Sequence, residues 1–343
     1  MEPTNITPSQ ENISDNPQFL PSRIKHITKK FSSIKLHSDE VTCILELQDK
    51  RIVTGSSDGS ISISLVNYIL KQWTQSILLE HAHHFWVRNF CELSNNRLVS
   101  CSDDHSIRIW DTSSITALVL IKKIHAHKGR VFRIIPLTNN RLASCSESDS
   151  TIKLWNTISY ENIPIPFENQ KTPTSILQLK HQNEILCISC YNNDQGYLIF
   201  YNSVSPYEQK GNVIEGVFTV WRYGMIELNN GHIVISSTKG WVDIVDPVKC
   251  VKIGKVAEKG WVYPVSSCVL CLLGDDSFIC GRYGYFCQVC YKDDEKYRVI
   301  YGVKEKRNEL RGEGGIVIVG DGRYFIVDTG GNKKNVNVFR FDY

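Results

Sequence analysis

The chain has 343 residues, of which 42% are apolar and 22% charged, with a formal net charge of +3 and twelve cysteines. That length is enough for a large core, and the composition is that of an ordinary globular protein. The charge balance is too small to argue for nucleic acid or an anionic membrane on electrostatics, and no apolar run approaches the roughly 20 residues that a spanning helix needs.

In chain order, the opening "MEPTNITPSQENISDNPQFLPS" (1–22) is polar and Pro-containing. It has neither the basic start nor the apolar core of a secretory signal, and predicts a disordered tail. The sequons at Asn5 and Asn12 then carry no expectation of glycosylation. The cysteines read as reduced, buried thiols of a cytoplasmic or nuclear protein. The segment "RIKHITKKFS" (23–32) follows, and after it a series of hairpins begins.

The hairpins repeat. "RIVTGSSDGSISIS" runs from Arg51, "RLVSCSDDHSIRIW" from Arg97 and "RLASCSESDSTIKLW" from Arg141. A polar turn precedes each ("QDK", "SNN", "TNN"), and an apolar strand precedes each turn, as in "VRNFCEL" (87–93) and "VFRIIPL" (131–137). Weaker copies start at Glu184, His232, Ser277 and Arg323, so successive starts lie 46, 44, 43, 48, 45 and 46 residues apart. Such a period predicts an array of four-stranded units. One sheet alone cannot bury both faces, but seven arranged radially can. The expected architecture is all-β: a seven-bladed β-propeller of four-stranded antiparallel blades over residues 23–343. The seventh unit ends after its third strand, "NVNVFRF", so residues 23–32 are expected to supply its outer strand and close the ring.

These residues resemble the WD-repeat β-propeller family, most closely over 37–156 and by period alone over 174–343. In that family a buried chain links a His before the first strand, a Ser or Thr in the second, an Asp in the next turn and a Trp in the third strand. The resemblance assigns His83, Ser100, Asp104 and Trp110 to this network in the second unit, and His127, Ser144, Asp149 and Trp155 in the third. The first unit keeps His37, Thr54 and Asp58 but has Ser64 in place of the Trp. The chemistry is sensible. The indole N–H needs an acceptor, the hydroxyl accepts and donates onward to the imidazole, and the Asp takes the other ring nitrogen.

His83, Ser100 and Asp104 look superficially like a hydrolase triad, but the set recurs from unit to unit, as architecture does, and no catalytic residue is assigned. Cys268, Cys271, Cys287 and Cys290 have zinc-ribbon spacing. Residues three apart on a strand point to opposite faces, so the preferred reading is buried thiols and no metal. Cys187 and Cys190 form a third such pair, and Cys101 and Cys145 read as packing. In "EHAHHFW" (80–86), His83 belongs to the network and the other histidines to an exposed turn. "GEGG" (312–315) and "GDG" (320–322) read as turns, because no helix follows to hold a phosphate. No cofactor is expected.

The surface that remains is aromatic and basic. Trp86, Arg88, Arg130, Trp221 and Tyr223 share one register at the start of first strands, and Trp261 and Arg282 belong to the same rim of the sixth unit. Such residue types are enriched at binding hot spots. The expected function is a non-enzymatic scaffold that binds a peptide or partner protein on this rim, as a subunit of a larger complex and without a membrane. The alternative is an RNA-binding propeller, or a subunit of an RNA-processing or ubiquitin-ligase complex. The Arg that often follows Trp–Asp in ligase receptors is absent: Ser113 and Ile158 stand there.

Overall fold

A computed structural model describes residues 26–27, 32–163, 171–182, 184–192, 195–205, 207–217, 224–236, 241–256, 269–274, 277–282, 285–291, 297–304, 316–319, 324–328 and 335–342. The expected tail, 1–22, lies outside the described residues. Every regular element among the described residues is a β-strand.

The strands form seven antiparallel sheets. Blade one comprises Val41–Glu46, Ile52–Ser56, Ile61–Asn67 and Gln72–Leu79, in that order from the inside outwards. Blade two is Val87–Leu93, Arg97–Ser102, Ser106–Asp111 and Val119–His125, and blade three Arg133–Leu137, Arg141–Ser146, Thr151–Asn156 and the two-residue Asn162–Ile163. Blades four, five and six begin with Thr172–Gln178, Met225–Glu227 and Val269–Gly274 and follow the same order. The first strand of each blade packs beside the first strand of the next, and Ile316–Val319 of blade seven returns to Val41–Glu46. The sheets therefore close into a ring, and the fold is an all-β propeller.

Closure uses the N-terminus. Blade seven has Ile316–Val319, Tyr324–Asp328 and Asn335–Asp342, and the last of these pairs on its outer side with Ser32–Lys35 and with His26–Ile27. The closing strand thus extends past the predicted 23–32, to Lys35. Ile34 explains the position: opposite Val336, it packs on the cluster of Val41, Ile44, Ile52, Ile326, Val336 and Val338, which joins blade seven to blade one.

Local chemistry sets the hairpins. The turns between first and second strands place Asn95 and Asn96, and Asn139 and Asn140, at positive φ. Two successive left-handed residues make the tight turn whose twist matches a hairpin, and Asn tolerates that region best after Gly. In the second strand, Gly55 occupies the place of Cys101 and Cys145. A Cβ on Gly55 would lie 2.7 Å from Cys43 Sγ and 2.8 Å from Val87, so only Gly fits in blade one. Cys101 and Cys145 are fully buried free thiols, and burial pushes Cys145 up to about 12.

A second set of contacts runs between blades. Arg51 donates to the carbonyls of Thr112 and Ser114, the latter at 3.1 Å. Arg97 donates to Thr157 O at 2.9 Å, and Arg141 to Ser203 O. Arg97 and Arg141 open the second strands of their blades and Arg51 directly precedes its own, and each grips the turn after the third strand of the following blade. The planar guanidinium suits the task, because it offers several fixed donors to backbone carbonyls at once.

Candidate interaction rim

The network of blade two is a directed chain. Trp110 Nε1 donates to Ser100 Oγ at 2.8 Å, and Ser100 Oγ lies 2.7 Å from His83 Nε2. The hydroxyl has one proton, so it donates to Nε2, which must be unprotonated. His83 Nδ1 therefore carries the proton and donates to Asp104 Oδ2 at 3.0 Å. Burial lowers the His83 pKa and keeps the ring neutral against the pull of Asp104. Burial alone would raise the Asp104 carboxyl, but bonds from His83, Ser106 and the His84 amide outweigh it and hold it far below the carboxylate range.

Blade three repeats the chain. Trp155 Nε1 donates to Ser144 Oγ at 2.8 Å, Ser144 Oγ is 2.8 Å from His127 Nε2, and His127 Nδ1 faces Thr151 Oγ1 at 2.9 Å and Asp149 Oδ2 at 3.2 Å. Burial pushes His127 down to about 4. Blade one differs in its relay. His37 Nε2 meets Thr54 Oγ1 at 2.7 Å, but Nδ1 meets Ser60 Oγ at 2.6 Å, and Ser60 in turn bonds Asp58. Asp58 also caps Ser38, accepting from its amide at 2.8 Å and its hydroxyl at 2.7 Å. All three sets are enclosed, with His37, His83 and His127 buried, so none offers a nucleophile to a substrate.

The rim is built on the loop that leads into blade two. Trp86 is 38% exposed and its neighbour Phe85 61%. The sequence suggested Arg88 as an accessible anchor; this is corrected by its burial, at 6% exposure. Its guanidinium forks onto Asp103, with Nε 2.6 Å from Oδ1 and Nη2 on Oδ2. It also lies over two rings, 4.5 Å from the Trp86 centroid and 5.1 Å from that of Phe132. Arg88 sits on an inner strand that faces the next blade, so its length is used inward. Its cation lies against the Trp86 indole. The amide of Asp103 donates to Trp86 O at 3.0 Å and fixes the backbone there. Arg130, whose side chain is 56% exposed, lies 3.9 Å from Asp103. Arg88 already neutralises Asp103, so the group carries one surplus positive charge.

Phe85, Asp103 and Phe132 were not singled out from sequence. The adjacent "FW" in a polar loop was the one available signal for Phe85. Trp221, Tyr223 and Trp261 lie outside the described residues. Of Arg282 only the backbone is described, at the end of Ser277–Arg282 opposite Tyr285. Cys268 is also outside. The backbone register places Cys271 on the first strand of blade six and Cys287 and Cys290 on the third, with Ser277–Arg282 between them. A zinc ribbon instead brings its pairs together across one hairpin. Cys187 and Cys190 are buried free thiols, and among the described residues no three His, Cys, Asp or Glu side chains converge on a metal position.

Comparison with known proteins fits this picture. The family model "WD domain, G-beta repeat" matches residues 28–63, 75–111 and 118–156. No curated protein matches the sequence. Among solved structures, the crystal structure of RRP9 WD40 repeats is similar, with a TM-score of 0.69 and 14% identity, covering 92% of this chain and all of that one. At that identity the likeness concerns the fold. Three matched repeats over 28–156, the buried chains of blades two and three and a closed ring of sheets support a WD-repeat family for this chain.

Proposed function

We propose that this protein is a non-enzymatic scaffold that binds a partner protein on the rim bearing Phe85, Trp86 and Arg130. WD repeats carry a protein-interaction kind of function in general. The observation that supports this particular surface is the contact of indole and cation: Trp86 lies against the ion-paired Arg88 while part of its surface faces solvent beside Phe85. A large ring fixed in place before binding loses little freedom when a partner covers it. Trp and Arg are the residue types that most often dominate interface energy.

The test is affinity purification from the native cell with mass spectrometry, comparing the wild type with Trp86→Ala and Arg130→Glu, each checked for an unchanged melting temperature. The expected result is a defined set of proteins lost with both variants. Retention of the same proteins would move the search to another face. Recovery of mainly RNA, with salt-dependent affinity, would replace the protein-scaffold reading by the nucleic-acid one.

A further inference from the structure

A second surface stands apart from the rim: the outer strand of blade two, Val119–His125. Nothing among the described residues pairs with its outer edge. Leu118 before it and Ile124 within it are buried, and pin the strand to the blade. Between those anchors Val119, Leu120 and Ile121 are all exposed, and Ile115 is exposed in the preceding turn. That turn is rigid. Arg51 of blade one holds its carbonyls, and Ser114 Oγ accepts from the amides of Thr116 and Ala117 at 3.1 Å each.

The position does not demand apolar side chains. The outer strand of blade four, Gln209–Glu215, exposes Gln, Lys, Gly and Asn in the corresponding half. An exposed apolar edge is a ready template for another strand. The register shifts between Leu120 and Lys122, so Ile121 bulges, but Lys122–His125 then pair regularly with Ser106–Ile109. An added strand therefore has a regular ladder along Lys122–His125 and apolar cover at Val119–Ile121.

Charge decides what kind of strand. Neither Lys122 nor Lys123 makes an ion pair among the described residues, and Lys122 Nζ rests 5.8 Å from the ring of Tyr160 in blade three. Antiparallel pairing of two copies about the middle of this strand would set these lysines against each other, and like charges directly opposite destabilise a ladder. An acidic strand meets the reverse condition. We propose that the outer edge of blade two takes up an extended, acidic segment of a partner protein as a fifth strand, with aliphatic residues of the segment lying on Val119, Leu120 and Ile121.

The probe is a fluorescein-labelled twelve-residue peptide alternating Val or Ile with Glu, and a second peptide with Lys for every Glu. Binding is read by anisotropy, and the site by hydrogen exchange at the amides of residues 119–125. The expected outcome is protection of those amides by the Glu peptide, which binds about threefold tighter than the Lys peptide, as one reversed cross-strand charge pair implies, because Lys122 and Lys123 point to opposite faces and an alternating peptide sets Glu opposite only one of them. The order should invert in Lys122→Glu/Lys123→Glu. A second variant, Leu120→Thr/Ile121→Thr, copies the polar character of blade four and should lose binding of the Glu peptide without inverting the preference. Three results would overturn the proposal: no protection of 119–125 by the Glu peptide, a charge preference that the lysine variant leaves unchanged, or protection that follows protein concentration alone with a dimer in ultracentrifugation. The rim variant Trp86→Ala should bind the Glu peptide normally, which separates this surface from the first.

Discussion

Replacing Ser100 by alanine removes a single oxygen, yet it leaves two buried groups without their partner. Trp110 Nε1 loses its acceptor and His83 Nε2 its donor, and both residues are almost wholly buried. An unsatisfied buried polar group costs about 1–3 kcal/mol, so Ser100→Ala should cost about 2–6 kcal/mol. That is a large share of the 5–15 kcal/mol that commonly separates folded from unfolded chains. Blade one supplies the internal control. Thr54 serves His37 alone, because Ser64 replaces the Trp, so Thr54→Val orphans one group and should cost about half as much. Urea denaturation followed by both tryptophan fluorescence and circular dichroism measures the two differences. The reasoning fails if Ser100→Ala costs under about 1 kcal/mol, or if Thr54→Val costs as much as Ser100→Ala.

The interblade arginines give a second expectation: Arg141→Lys should lose about 2–4 kcal/mol, because an ammonium cannot span both Thr138 and Ser203 as the guanidinium does. Scanning calorimetry beside the exposed Lys50→Ala would show it, and equal melting temperatures would refute it. The network histidines set the acid limb of stability. Burial takes His37 and His127 from the ordinary 6.5 to about 4, so between those values the unfolded chain binds more protons. Stability is fully present above about 6.5 and falls as pH drops toward 4, by up to about 1.4 kcal/mol per unit for each histidine. A melting temperature flat from pH 7 to 4.5 would contradict this, and His127→Asn should reduce the slope. Finally, deleting residues 1–36 removes both strands that pair with the outer side of Asn335–Asp342 and should lower the melting temperature sharply. Deletion of 1–20 should leave it close to the wild type, and equal effects would refute closure by the N-terminus.

The sequence by itself determined the period and the strand class, and its resemblance to WD repeats implied the two complete buried chains. The reason is that these are local. The partners of Ser100 are 10 and 17 residues away within one repeat, and those of Ser144 are 11 and 17 away within the next. The Asn–Asn turns are local for the same reason, since φ at a tight hairpin depends on the residue that occupies it. What joins one blade to the next was decided only by the tertiary structure. Arg51, Arg97 and Arg141 were visible as repeat markers, but their carbonyl partners lie about 60 residues on, across a boundary whose geometry the ring sets. Arg88 looked like an accessible anchor because its type and register matched the rim. Whether a long side chain at that register runs outward or folds inward depends on Asp103 in the next turn and Phe132 in the next blade, both brought beside it by folding. The extension of the closing strand to Lys35 has the same origin: Ile34 packs on residues of blades seven and one, and Val336 opposite it is far away in the linear order.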